Sequence, residues 1–133
     1  MTRWFADSFV FLAMLNPGDR KHKAAVQALQ GSPHPLVTTT WVLTELADGL
    51  CFSKTRGLFV SLEARLRRNP LITILPPDQR LYDLGLALYR DRKDKDWSLT
   101  DCISFVVMRE NAITEALTGD HHFEQAGFVA LLK

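Results

Sequence analysis

Four carboxylates stand where a sheet of alternating strands and helices would gather them. Asp7 follows the apolar run Trp4-Phe5-Ala6, and Asp120 follows Ala116-Leu117-Thr118-Gly119. Asp101 falls in the first turn of a helical segment opening at Ser98, and Glu45 in the first turn or so of one opening near Trp41. In open parallel α/β sheets, ligands bind beyond the carboxyl ends of the strands, where the next helix begins. Carboxylates that meet there raise one another's pKa, because like charges a few ångströms apart cannot all stay ionised uncompensated. The usual compensation is a hard divalent cation, and Mg²⁺ or Mn²⁺ prefers carboxylate and water oxygens. Such a centre binds phosphate oxygens, activates a water and steadies a leaving oxygen, which is metal-assisted phosphodiester hydrolysis.

Each acid also has a purely structural reading. Ser98-Leu99-Thr100-Asp101 matches a helix capping box, so Asp101 serves the helix start on that view. Glu45 reads equally as a solvated acid favoured by the helix dipole. Asp7-Ser8 and Gly119-Asp120 read as plain strand-to-helix turns. The joint placement of all four is what favours chemistry.

The elements that must position these acids alternate. Strands are expected at Trp4–Ala6, Leu36–Thr39, Leu71–Leu75, Ala116–Thr118 and Phe128–Leu132. Helical spacing runs from Phe9 to Leu15, Lys21 to Leu29, Trp41 to Phe52 and Leu58 to Arg68. It continues from an Asp78 cap to Arg92, with Leu81, Leu84, Leu88 and Tyr89 facing inward, and from Ser98 through an apolar run to Met108. The pattern is that of an α/β domain with a largely parallel sheet.

The chain has 133 residues with no repeat, low-complexity tract or linker, so one domain over 1–133 is expected. Formal charge is +1, too balanced to announce a nucleic-acid partner except through local patches. Met1 to Ala6 meets Asp7 before an apolar leader can grow, and no uncharged stretch reaches the ~20 residues of a membrane helix. Cys51 and Cys102 lack partners at metal-ligand spacing. A disulfide is formally allowed, but two buried free thiols fit better and point to a reducing, cytoplasmic location.

Four blocks carry a resemblance. They are Trp4-Phe5-Ala6-Asp7-Ser8-Phe9, Thr38-Thr39-Thr40-Trp41-Val42-Leu43-Thr44-Glu45-Leu46, Trp97-Ser98-Leu99-Thr100-Asp101-Cys102 and Leu117-Thr118-Gly119-Asp120-His121-His122-Phe123-Glu124-Gln125-Ala126-Gly127-Phe128. In order and spacing they resemble PIN-domain nucleases across nearly the whole chain, most nearly the VapC-like toxins of bacterial toxin–antitoxin pairs. The last block is the most specific of them.

The resemblance implies a three-layer α/β/α fold with a central, mostly parallel five-stranded sheet, usually dimeric. It implies an Mg²⁺- or Mn²⁺-dependent endoribonuclease acting by activated water, without a covalent enzyme intermediate. Asp7 and Asp101 would be the principal metal ligands, Asp120 would complete the site, and Glu45 would orient a water or a second ion. Thr118 is expected either to hydrogen-bond a neighbouring carboxylate or water, or simply to suit the strand. His121 and His122 read mainly as structure, and Asp96 as part of a solvated charged loop.

Basic residues cluster at Arg20-Lys21-His22-Lys23, Lys54 and Arg56, Arg65-Arg67-Arg68, and Arg90-Arg92-Lys93-Lys95. Each cluster reads first as a solvated helix end or face; Lys54 and Arg56, in a Gly-containing loop beyond the Glu45 helix, are the candidates for phosphate contacts. The stretch from Val42 to Leu66 carries Leu46, Leu50, Phe52, Leu58, Phe59, Val60 and Leu62, part core and part groove for an amphipathic segment. By resemblance that segment belongs to an antitoxin. Two other readings are a PIN-like scaffold that binds RNA or protein without cutting, and a signalling receiver. The receiver would need a phospho-accepting Asp on the middle strand, whereas Leu71–Leu75 ends in Pro76-Pro77 before Asp78. A dehalogenase-like phosphatase would need a second Asp two positions after Asp7, where Phe9 stands.

Overall fold

The computed structural model describes residues 2–133; Met1, which opens the stretch read above as lacking a leader, lies outside them. The short apolar runs form β1 (Trp4–Ala6), β2 (Leu36–Thr39), β3 (Ile72–Leu75), β4 (Glu115–Leu117) and β5 (Val129–Ala130). They make one five-stranded, all-parallel sheet in the order β3-β2-β1-β4-β5. Phe5 is the centre of the register, pairing with Val37 on one side and Ala116 on the other. Strands covered on both faces need no alternation, and Phe5, Ala6, Val37, Ala116 and Leu117 are all buried.

Helices α1 (Ser8–Leu15) and α2 (His22–Gln30) join β1 to β2, and α3 (Thr40–Gly49) and α4 (Arg56–Arg68) join β2 to β3. The chain then returns across the sheet through α5 (Gln79–Asp91) and α6 (Leu99–Glu110) to β4, and α7 (His121–Gln125) leads to β5. Right-handed crossovers put α1–α4 on one face and α5–α7 on the other, giving the three-layer α/β/α arrangement. As its composition requires, α6 is the most buried helix, with Phe105 packed edge-on against both Trp97 and Phe123. No helix among the described residues is long and apolar enough to cross a membrane.

The strand order removes the receiver reading. That architecture runs 2-1-3-4-5, with its ligand at the β1/β3 switch point, whereas here β3 is an edge strand beside β2.

Several expectations need correction. Leu84 and Tyr89 face solvent at 41% and 50% exposure, because the inner face of α5 is centred on Gly85. A Cβ there would stand 2.3 Å from Ile103 Cγ1, so α5 and α6 approach through a residue invisible to a hydrophobic pattern. Helix α3 stops at Gly49 with Leu50 as its C-cap, three residues short of Phe52. Cys51 is therefore exposed in the following turn; only Cys102 is a buried thiol, and both are free. Regular β5 is two residues long, although Leu131 and Leu132 still donate to the carbonyls of Ala116 and Thr118.

Candidate active site

β1 and β4 lie side by side, but the chain leaves their carboxyl ends toward opposite faces of the sheet. Such a divergence opens a crevice between the two strand ends, and Asp7 and Asp120 stand on either side of it. Asp7 holds the N-cap position of α1, yet its side chain caps no helix N–H. It is only 4% exposed. Its Oδ2 accepts from the hydroxyl of Thr118 at 3.0 Å, and the same hydroxyl accepts from the Asp120 N–H at 3.1 Å. Asp7 is thus a carboxylate buried at a cap position that caps no helix, its side chain turned instead to the end of β4.

Asp101 and Asp120 do serve helices. Asp101 and Ser98 form a reciprocal capping box at the start of α6. Asp120 caps α7 by accepting from the His122 N–H at 2.9 Å. Glu45 lies in the second turn of α3, half-buried, with Oε1 held by the Ser8 hydroxyl at 2.7 Å. In Glu45, Asp101 and Asp120 one oxygen is thus tied to the protein, and the other has no hydrogen-bond donor among the described residues.

All four acids line one open cavity of about 330 Å³, together with Ser8, Phe9, Asp96, Ser98 and His122. Burial, then the neighbouring Asp101, pushes the Asp7 carboxyl up to about 7 against the help of Thr118. Burial also raises Glu45, with Asp101, Asp120 and Asp48 adding to it while the Ser8 hydroxyl opposes. Asp101 is raised by burial and by Asp120, opposed by the Ser98 backbone and by His122. Burial and mutual repulsion both disfavour the charged forms of these acids in the pocket.

That donor set suits a hard divalent cation. Its atoms are carboxylate oxygens, three with no other partner, and a cavity of about 330 Å³ leaves room for the waters that Mg²⁺ keeps when it binds through one or two carboxylates. Asp120, His121 and His122 also bring one ligand atom each within 4.8 Å of one another. They do so as successive residues of one helical turn, and two imidazoles suit softer transition metals.

Three of the lining residues that were not assigned to the site from sequence bear on its chemistry. His122 Nδ1 lies 3.2 Å from Asp101 Oδ2 and 3.5 Å from Asp120 Oδ1, between the two capping acids. Its place two residues after an N-cap turns it toward the cavity, while His121 beside it is exposed. Ser8 follows Asp7 directly and reaches Glu45 across 37 residues, a contact no local pattern encodes. Asp96 is exposed, as a charged loop residue should be, yet sits at the rim. Thr118 meets its expected carboxylate. Lys54 and Arg56 are not among the residues lining the cavity, and the Arg56 guanidinium is turned onto the Cys51 carbonyl at 2.8 Å.

Residues 5–129 match the PIN domain family. The chain is 26% identical over 128 residues to the 23S rRNA-specific endonuclease VapC20 of Mycobacterium tuberculosis, an alignment covering 94% of this chain and 95% of that protein. The crystal structure of M. tuberculosis VapC20, described as a sarcin-ricin loop cleaving toxin, superimposes with a TM-score of 0.86 at 25% identity, covering 97% and 98% of the two chains. FitAcB from Neisseria gonorrhoeae shares the fold, with a TM-score of 0.65 at 20% identity over 97% of this chain and 96% of that one.

Proposed function

The chain belongs to the PIN domain family, and from that premise we propose that it is a metal-dependent endoribonuclease, the toxin of a toxin–antitoxin pair. One observation carries the reading. Four carboxylates from four separate segments line a single cavity at the divergence of β1 and β4, and three of them are pushed up by burial, with neighbouring carboxylates adding to it. Likeness to an rRNA-specific endonuclease supports RNA as the substrate.

In this reading Asp7, Asp101 and Asp120 hold Mg²⁺ or Mn²⁺, and Glu45 orients a water or a second ion. The bound cation would polarise the phosphate and lower the pKa of water near it. The chain's own residues do the positioning. Thr118 fixes Asp7, Ser8 fixes Glu45, and the Ser98 cap with His122 fixes Asp101. Held by one oxygen each, Glu45 and Asp101 leave the other oxygen to accept a proton or a ligand, at little cost in reorganisation.

The partner is proposed to be an antitoxin that covers the α3–α4 corner. Phe52, Leu58 and Val60 are 68%, 43% and 66% exposed there, while Leu46 and Leu62 are core. A single domain over 1–133, a homodimer and a cytoplasmic location complete the proposal. The test is cleavage of a labelled RNA by purified protein with Mg²⁺ or Mn²⁺. Activity that survives excess chelator, or an Asp101→Asn variant with full activity, overturns it; RNA binding with no metal-dependent turnover favours the scaffold reading.

A further inference from the structure

We propose that the acidic cavity is the middle of a track for single-stranded RNA, whose two ends are basic cavities built by Arg20 and Lys21 on one side and by Lys93 and Lys95 on the other. The proposal rests on the nuclease reading for the identity of the strand, and on geometry for the path. Phe9 lines both the acidic cavity and a neighbouring one of about 520 Å³ that also takes in Asp19, Arg20 and Lys21. Asp96 lines both the acidic cavity and another of about 480 Å³ bordered by Tyr89, Lys93, Lys95 and Trp97. The three cavities therefore follow one another through shared walls, positive, negative, positive.

The cations at the two ends are available. Among the described residues Arg20, Lys21 and Lys93 make no ion pair, and Lys95 reaches Asp94 only at 3.9 Å. Asp19 lines the same cavity without ion-pairing either cation; its Oδ1 accepts from the Lys21 N–H at 2.8 Å and forms the turn that presents the pair. Arg92 is a builder, bound to Asp94 at 3.0 Å and seated 5.0 Å over the Trp97 ring. Lys133 is already paired with Glu124.

A polyanion is repelled by four acids and needs phosphate contacts flanking them. Two such contacts, one on each side, place the intervening phosphodiester over the carboxylates. Half-buried Phe9 at one junction and half-exposed Tyr89 at the far end offer rings on which unpaired bases stack, the usual complement to a basic groove in single-strand binding. The basic residues Arg56, Arg65 and Arg67 of α4 are placed otherwise. Arg56 is folded onto a backbone carbonyl, Arg67 is paired with Glu63, and Arg65 borders an apolar groove of α2 and α4.

The experiment compares Arg20→Glu/Lys21→Glu and Lys93→Glu/Lys95→Glu with Arg65→Glu/Arg68→Glu, which changes net charge equally away from the track. Binding of a labelled single-stranded RNA is read by fluorescence anisotropy across salt concentrations, and its cleavage with Mn²⁺ is followed in parallel. Each track pair is expected to weaken binding by roughly tenfold or more. Each should also flatten the slope of log Kd against log salt by about 1.4, for two lost single-strand phosphate contacts. KM should rise with the loss. Either track pair behaving like the control overturns the proposal. Wild-type protein that binds through both pairs but never cuts removes the nuclease reading and leaves the track. Metal-dependent cutting with both pairs like the control does the reverse.

Discussion

The hydroxyl of Thr118 donates to Asp7 Oδ2 at 3.0 Å and ties the ends of the two central strands across 111 residues. Because it also accepts from the Asp120 N–H, one small group orients two of the four acids. Thr118→Val keeps the shape and removes both bonds. Groups that orient metal-binding carboxylates are typically worth about 10- to 100-fold in activity or metal affinity, so a loss of that size in metal-dependent RNA cleavage is expected. The pH profile should move to higher pH as well, since Thr118 is the larger of the two groups that lower Asp7, ahead of the Ser8 N–H. An unchanged rate and profile would show the hydroxyl to be only structural.

The raised Asp7 carboxyl makes metal-free stability depend on pH. Its folded value of about 7 lies above the ordinary 3.8, so between those values the folded protein holds a proton that the unfolded chain has released. The stabilisation from that proton is fully present below about pH 4 and is lost as pH rises through about 7. Asp101 and Glu45 are raised too and act in the same direction. In chelator, melting temperature should fall from pH 5 to pH 8. Asp7→Asn should soften that fall and raise Tm at pH 8 by roughly 5–10 °C; a wild-type Tm that climbs with pH contradicts the assignment.

Metal binding should expel the same proton. Ligand carboxylates must be ionised to bind, so calorimetric titration of Mn²⁺ near pH 6.5 should show an enthalpy that varies with the ionisation enthalpy of the buffer. About one proton released per site is expected. Asp7→Asn should abolish the buffer dependence.

Gly85 is required by the contact between α5 and α6. The Cβ of an alanine would stand 2.3 Å from Ile103 Cγ1 and 3.1 Å from Ile103 Cα, and backbone cannot yield as a flexible side chain can. Overpacking of this kind costs about 1–3 kcal/mol. A lower Tm is expected for Gly85→Ala despite its better helix propensity, and a rise in Tm would count against the packing described.

What the sequence made readable divides by range. β1 and β2 were legible to the residue, because Trp4–Ala6 and Leu36–Thr39 are apolar or β-branched runs with turn residues beside them. Asp78 and Ser98 were legible as caps for the same local reason. The acids were legible as strand-end and helix-start residues, but their alibis were not correctly sorted. Asp120 caps a helix after all, and Glu45 sits a turn too deep to be a solvated dipole partner. What stayed hidden was long-range. Ser8 meeting Glu45, His122 meeting Asp101 and Gly85 meeting Ile103 join residues brought together only by sheet order and helix packing. The exposure of Leu84 follows from the Gly85 contact, and that of Cys51 from the early end of α3.

The adjacency of β1 and β4 also sets a time. Asp7 is made 111 residues before Thr118, and Asp120 follows two residues later. Chains fold progressively from the N-terminus as they emerge, so β1 must wait beside β2 until β4 arrives to complete the sheet. Only then does the crevice have two sides. Whatever these acids do to other molecules, they are silent until both strand ends have been made.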